Sequence, residues 1–245
     1  MDFLTPWYLT HSERDCISGV SSILSTLDIP ALRTVLVHDH QHATPRPGYD
    51  APSLGLQRLK SLVIRARVPL AVELFKALLP IEADSLKAIR LRLSPDEDED
   101  EDVMLPELVS LFPVTTRNLD IELLREKRDL HLSLLPQSFD SLPRLALIRL
   151  GGFEMPVLAV LAHLASNNPR LRSIVLDDIS WIPDPSRPDE PIFDATDLVQ
   201  VLRSFRRLKR CDLDVLPISA SDSLDPLVAL WEEGKLGLFW TVDDE

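Results

Sequence analysis

Glycine is scarce in this chain, 7 of 245 residues, where about 7% is usual. Loops that cradle phosphate need glycine so that backbone can approach a ligand closely. The sequence has no G-x-G-x-x-G, no P-loop and no G-x-S-x-G, and with them go the commonest signatures of dinucleotide, nucleotide and acyl-transfer chemistry. Cysteine is scarcer still: Cys16 and Cys211 alone. Two thiols so far apart in sequence make neither a disulfide framework nor a zinc site, and a reducing, intracellular home is expected. No stretch of about 20 apolar residues occurs, so no membrane span is expected. The opening "MDFLTPWYLTHSERD" lacks a basic segment followed by an apolar run, and no signal peptide is read there. Positive charge is in deficit, 26 Lys and Arg against 39 Asp and Glu, for a net charge of −13. Duplex nucleic acid and anionic membrane are repelled overall by such a chain, so neither is expected as a partner.

Proline is abundant, 20 residues, and hydrophobic residues make up 45% of the chain. The first implies many sharp reversals, the second a sizeable core. Both belong to a repeated phrase. "LRTVLV" (32–37), "LKSLVI" (59–64) and "LRSIVL" (171–176) share one frame: apolar, two residues, apolar, one residue, apolar. The frame fits Leu32-Val35-Val37, Leu59-Leu62-Ile64, Leu86-Ile89-Leu91, Leu145-Ile148-Leu150, Leu171-Ile174-Leu176 and Leu208-Cys211-Leu213, with a weaker copy at Thr116-Leu119-Ile121. First positions are 32, 59, 86, 116, 145, 171 and 208, giving steps of 27, 27, 30, 29, 26 and 37. Self-similarity at a period of about 20–50 residues is the mark of a repeat array.

Each phrase is followed by apolar residues at helical spacing: 68–80, 102–112, 155–169, 195–208 and 223–234. Asp194 or Thr196 is placed to cap one of these helices. A unit therefore reads as short strand, turn, helix. One unit cannot bury its own apolar strand face, so stacking is required. The prediction is an α/β fold, a right-handed solenoid over residues 1–245 as a single domain. Its parallel sheet lies on the concave side and its helices on the convex side.

An L-x-x-L-x-L phrase with a helix and this period resembles a leucine-rich repeat of the ribonuclease-inhibitor-like class. The proline lead-ins "IPALRTV", "LPRLALI" and "NPRLRSI" resemble the repeat region of fungal F-box proteins. The resemblance covers about residues 20–240. It implies a protein-binding scaffold of ubiquitin-ligase substrate-receptor type, without cofactor or catalysis. Two departures matter. The position where such repeats often place Asn or Cys is held here by His40, Arg67, Ser94, Phe153, Ile179 and Leu216, so the buried polar ladder is missing. No F-box-like segment precedes the first repeat, so the adaptor-binding half is expected to be absent.

Three stretches break the period. "SPDEDEDED" (94–102) reads as a solvated acidic loop whose last acids suit a helix N-terminus. "SWIPDPSRPDEPIF" (180–193) is a proline-rich insertion in which Trp181 is either an interaction anchor or a side chain tucked onto the edge. "DLHLSLLP" (129–136) alternates like an extra strand.

Residues between the apolar positions point outward along the sheet. They are His38, Arg65, Arg90, Arg92, Asp120, Glu122, Arg149, Asp177, Asp178, Arg210, Asp212 and Asp214. Charge passes from basic to predominantly acidic along the array. Arg65, Arg90 and Arg92 fall on adjacent strands and form one basic patch unless Asp120 and Glu122 neutralise it. This face and Trp181 are the candidate binding residues for another protein. "HDHQH" (38–42) sets three histidines on one side of a strand, but no carboxylate or cysteine completes a ligand set, and no metal is expected. His163 lies on an apolar helix and reads as a core residue. Trp231, Phe239 and Trp240 read as a C-terminal cap. The leading expectation is a monomeric, non-enzymatic scaffold. The alternatives are an inhibitor or GTPase-regulator-like repeat protein, and an α/β enzyme of unrecognised type.

Overall fold

Apolar residues at alternate positions of a short run turn one side of an extended strand toward a core. A computed structural model describes residues 8–11, 34–39, 60–78, 86–94, 101–124, 136–184, 193–214, 216–217 and 225–238, and the phrases within that set are strands. In chain order the elements are β1 (Tyr8–His11), β2 (Thr34–Asp39), β3 (Ser61–Arg67), α1 (Val68–Leu78), β4 (Ala88–Ser94), α2 (Glu101–Ser110) and β5 (Asn118–Leu123). A 3-10 turn (Pro136–Phe139) precedes β6 (Leu147–Gly151), β7 (Glu154–Met155), α3 (Val157–Asn167), β8 (Ser173–Asp177) and β9 (Ser180–Trp181). The chain continues through α4 (Ala195–Ser204), β10 (Arg210–Leu213), α5 (Asp225–Glu232) and β11 (Leu236–Leu238).

Among the described residues the main sheet has nine strands in the order β1-β2-β3-β4-β5-β6-β8-β10-β11. Every neighbouring pair is parallel. The order never reverses, so the sheet grows in one direction along the chain. β7 and β9 form a separate two-stranded parallel sheet.

The register follows the repeated phrase. Val35, Leu62, Ile89, Leu119, Ile148, Ile174, Cys211 and Leu236 stand side by side, one per strand. So do Val37, Ile64, Leu91, Ile121, Leu150, Leu176, Leu213 and Leu238. From Leu62 to Leu236 the first row is no more than 2% exposed. Burying one such side chain contributes about 1.5–3 kcal/mol, and the rows are unbroken from strand to strand. The weak copy takes its place too, with Thr116 fully buried.

Leu86, Leu145 and Leu171 are buried as the frame requires. Leu208 is a correction, being only half-buried against the core. Leu32 and Leu59 lie outside the described residues. Where the leucine-rich pattern has a polar ladder, Phe153 and Ile179 are buried apolar residues.

The helices cover one face of the sheet. α1 packs on α2, α3 on α4 and α4 on α5, while the 3-10 turn packs on both α2 and α3. It stands in the layer where the neighbouring units place a helix. Asp194, not Thr196, caps α4: its Oδ1 accepts from the backbone N–H of Thr196 at 2.6 Å and of Asp197 at 3.1 Å. Glu101 and Asp102 open α2, where acidic residues suit the helix dipole. The rest of the acidic run from 95 to 100, the stretch 129–135 and residues 185–192 lie outside the described residues.

Gly152 needs its residue type: φ is +80°, and a Cβ would lie 2.9 Å from the Leu123 carbonyl oxygen. The reading of Trp231 as part of an aromatic cap is corrected. It is 59% exposed, while Leu227, Leu230 and Leu236 nearby are buried. The reason is helix phase: Trp231 follows Leu230 immediately, and adjacent helical residues do not share a face. Phe239 and Trp240 lie outside the described residues. No helix among the described residues is long and apolar enough to cross a membrane.

Candidate functional site

The face of the sheet away from the helices is open to solvent. Burial alternates along β3 and β4, inward residues buried and outward ones exposed or half-exposed. Its middle row reads Leu36, Val63, Arg90, Asp120, Arg149, Val175, Asp212, Gly237 across the strands. The row beside it reads His38, Arg65, Arg92, Glu122, Gly151, Asp177. All these charged sequence candidates therefore lie on one surface, with Arg210 at the start of β10 and Asp214 just after its end.

The charges are interleaved and largely satisfy one another. Arg90 Nε donates to Asp120 Oδ2 at 2.8 Å, and Arg92 Nη1 donates to Asp120 Oδ1 at 3.1 Å. Arg92 Nη1 also lies 2.6 Å from Glu122 Oε2. Asp120 is only 8% exposed, which a carboxylate tolerates when cations hold both its oxygens. The basic patch of three free guanidiniums is thus replaced by a mixed cluster. The short side chains of Asp120 and Glu122 sit one strand away from the arginines, within reach at a strand spacing of about 4.8 Å. Of the three arginines, Arg65 alone has no ion-pair partner among the described residues.

Further along, Arg149 Nε donates to Asp177 Oδ2 at 2.8 Å. That hydrogen bond, with added Coulomb attraction from Asp177, Asp120 and Glu122, raises the Arg149 pKa against a desolvation that lowers it. Arg210 Nε donates to Asp212 Oδ1 at 2.8 Å. Asp212 leans over Gly237, whose missing Cβ leaves room for the carboxylate. Asp214 Oδ2 accepts from the Asp178 backbone N–H at 3.3 Å. Burial, with the Asp212 charge beside it, pushes the Cys211 thiol far up, so this cysteine behaves as a core residue rather than a nucleophile.

Apolar side chains on this face, Val63, Leu147 and Val175, were not among the sequence candidates. Leu147 is 37% exposed at the start of β6, and Val175 is half-exposed beside Arg149. The signal was present: Leu147 holds the position where other copies carry Thr34, Ser61, Ala88, Asn118 and Ser173.

Trp181 does not stand free. It is half-buried on β9, packed against the core, with its ring edge-on to Phe193 at 5.6 Å. His163 is also a correction. It is half-exposed on α3, with Nε2 2.7 Å from Asp140 Oδ1 and 2.9 Å from Asn167 Nδ2. The polar end of the ring is held at the helix surface, so it is not a core residue. No group of three or more potential metal ligands occurs among the described residues; His40 and His42 lie outside them. No family model, curated protein or solved structure matches this chain.

Proposed function

We propose that this chain is a non-enzymatic binding scaffold, a leucine-rich-repeat solenoid that holds another protein on the open, concave face of its sheet. The observation that carries the reading is the outward surface itself. It presents interleaved charges around Leu147 and Val175, on strands whose other face is locked into a continuous core. A rigid surface loses little entropy on binding, and an exposed apolar side chain ringed by charged pairs matches the make-up of interface centres. The strand order also supports it. Open α/β sheets bind small ligands where the strand order reverses, and this order does not reverse among the described residues. The resemblance to fungal F-box repeat regions makes a substrate bound for ubiquitylation the specific form of the proposal.

The test is affinity capture with mass spectrometry, comparing wild type with the double variant Leu147→Asp, Arg149→Glu. Both side chains are partly exposed, and circular dichroism on the variant verifies that it folds. It is expected to lose the proteins that wild type captures specifically. The same proteins at the same yield from both would overturn the reading.

A further inference from the structure

The second position of the repeated phrase is basic in six of seven copies: Arg33, Lys60, Lys87, Arg117, Arg172 and Lys209, with Ala146 the exception. The fold turns this spacing into a surface. The Lys87 N–H donates to the Lys60 carbonyl at 3.0 Å, Arg117 to Lys87 at 2.9 Å, Ala146 to Arg117 at 2.7 Å, Arg172 to Ala146 at 2.8 Å and Lys209 to Arg172 at 2.8 Å. These residues therefore stand shoulder to shoulder at the edge where the strands begin. Lys60, Lys87, Arg117, Arg172 and Lys209 are all exposed. Arg144, also exposed, lies two residues before Ala146 and puts a cation near the gap. Five strand steps of about 4.8 Å make a ridge about 24 Å long.

Elsewhere on the sheet, Arg65 apart, arginines are matched by carboxylates, as in Arg90–Asp120, Arg92–Glu122 and Arg149–Asp177. The five ridge cations have no ion-pair partner among the described residues. Like charges opposite one another on neighbouring strands disfavour folding. A net charge of −13 makes a cation welcome anywhere on the surface, but it does not explain why cations recur at one register position.

We propose that this ridge is a docking site for an acidic polypeptide segment of a partner, distinct from the open face. An extended strand rises about 3.3 Å per residue, so about seven residues span the ridge. A short acidic segment touches the ridge alone, whereas the long polyanion of a nucleic acid would run on along a chain whose net charge is −13. Among the described residues the ridge also lacks the interleaved aromatics on which single-stranded bases stack.

The experiment measures binding of labelled oligoglutamate and of oligothymidylate to the full chain by fluorescence anisotropy at several salt concentrations. Oligoglutamate is expected to bind, more weakly as salt rises. The joint change Lys60→Ala, Lys87→Ala, Arg117→Ala, Arg172→Ala weakens it about tenfold, at under a kcal-scale step per exposed charge. Removing exposed cations elsewhere (Lys76, Arg203 and Lys235 to Ala) changes it by no more than about twofold, the screened long-range part. Should the quadruple ridge variant not fold, Lys87→Glu alone is expected to weaken binding about threefold. No binding of oligoglutamate, or equal losses in the ridge and control variants, would overturn the proposal. So would binding of oligothymidylate in preference to oligoglutamate, which would assign the ridge to phosphate.

Discussion

Asp120 shows how one residue can organise a surface. It lies on the outward side of β5 yet is almost buried, because Arg90 and Arg92 close over its two oxygens. Asp120→Asn keeps the shape and removes the charge that both guanidiniums need. The expected loss is about 1–3 kcal/mol, discounted because Arg90 is largely exposed, and it is read as a fall of several degrees in Tm. Glu122 meets Arg92 from a more exposed place, so Glu122→Gln should cost under about 1 kcal/mol. A larger effect from Glu122 than from Asp120 would mean that the cluster is centred elsewhere.

At the scale of elements, each helix has a defined neighbour, and one has a defined start. α4 begins where Asp194 takes the free N–H groups of Thr196 and Asp197. Its inward residues Ala195, Leu198, Val199 and Leu202 are buried, so capping and packing agree on its placement. Asp194→Ala should cost about 1 kcal/mol, a drop of about 2–4 °C in Tm for a chain of this size, measured by circular dichroism. An unchanged Tm would place the helix start under packing control alone.

For the whole molecule, cooperativity rests on the two inward rows that run from strand to strand. Ile174 is fully buried between Ile148 and Cys211. An unpaired charge there costs several kcal/mol against a total stability of about 5–15. Ile174→Asp is therefore expected to abolish folding, seen as loss of the far-ultraviolet signal and of the thermal transition. A folded, cooperatively melting variant would show that the row is not continuous.

The period of the phrase and the apolar pattern of the helices, read along the chain, placed the seven phrase strands, the helices and the inward rows, whereas β1, β7, β9 and β11 carry no copy of the phrase and were not expected. Period and pattern are local properties: a period of two marks one face of a strand, and a period of 3.6 marks one face of a helix. They also assigned the charged residues to a single outward face. What charge the face carries was decided only by tertiary structure. Whether Arg90 and Arg92 remain free depends on Asp120 and Glu122, about 30 residues away in sequence and one strand away in space. The same holds for Trp181, which packs against Phe193 across the insertion. Trp231 was legible in the sequence, since helix phase, a local property, turns outward a residue that composition alone would bury. The basic ridge shows both halves of the rule: its residues recur in the sequence at one position of the phrase, and the hydrogen bonds from strand to strand bring them side by side.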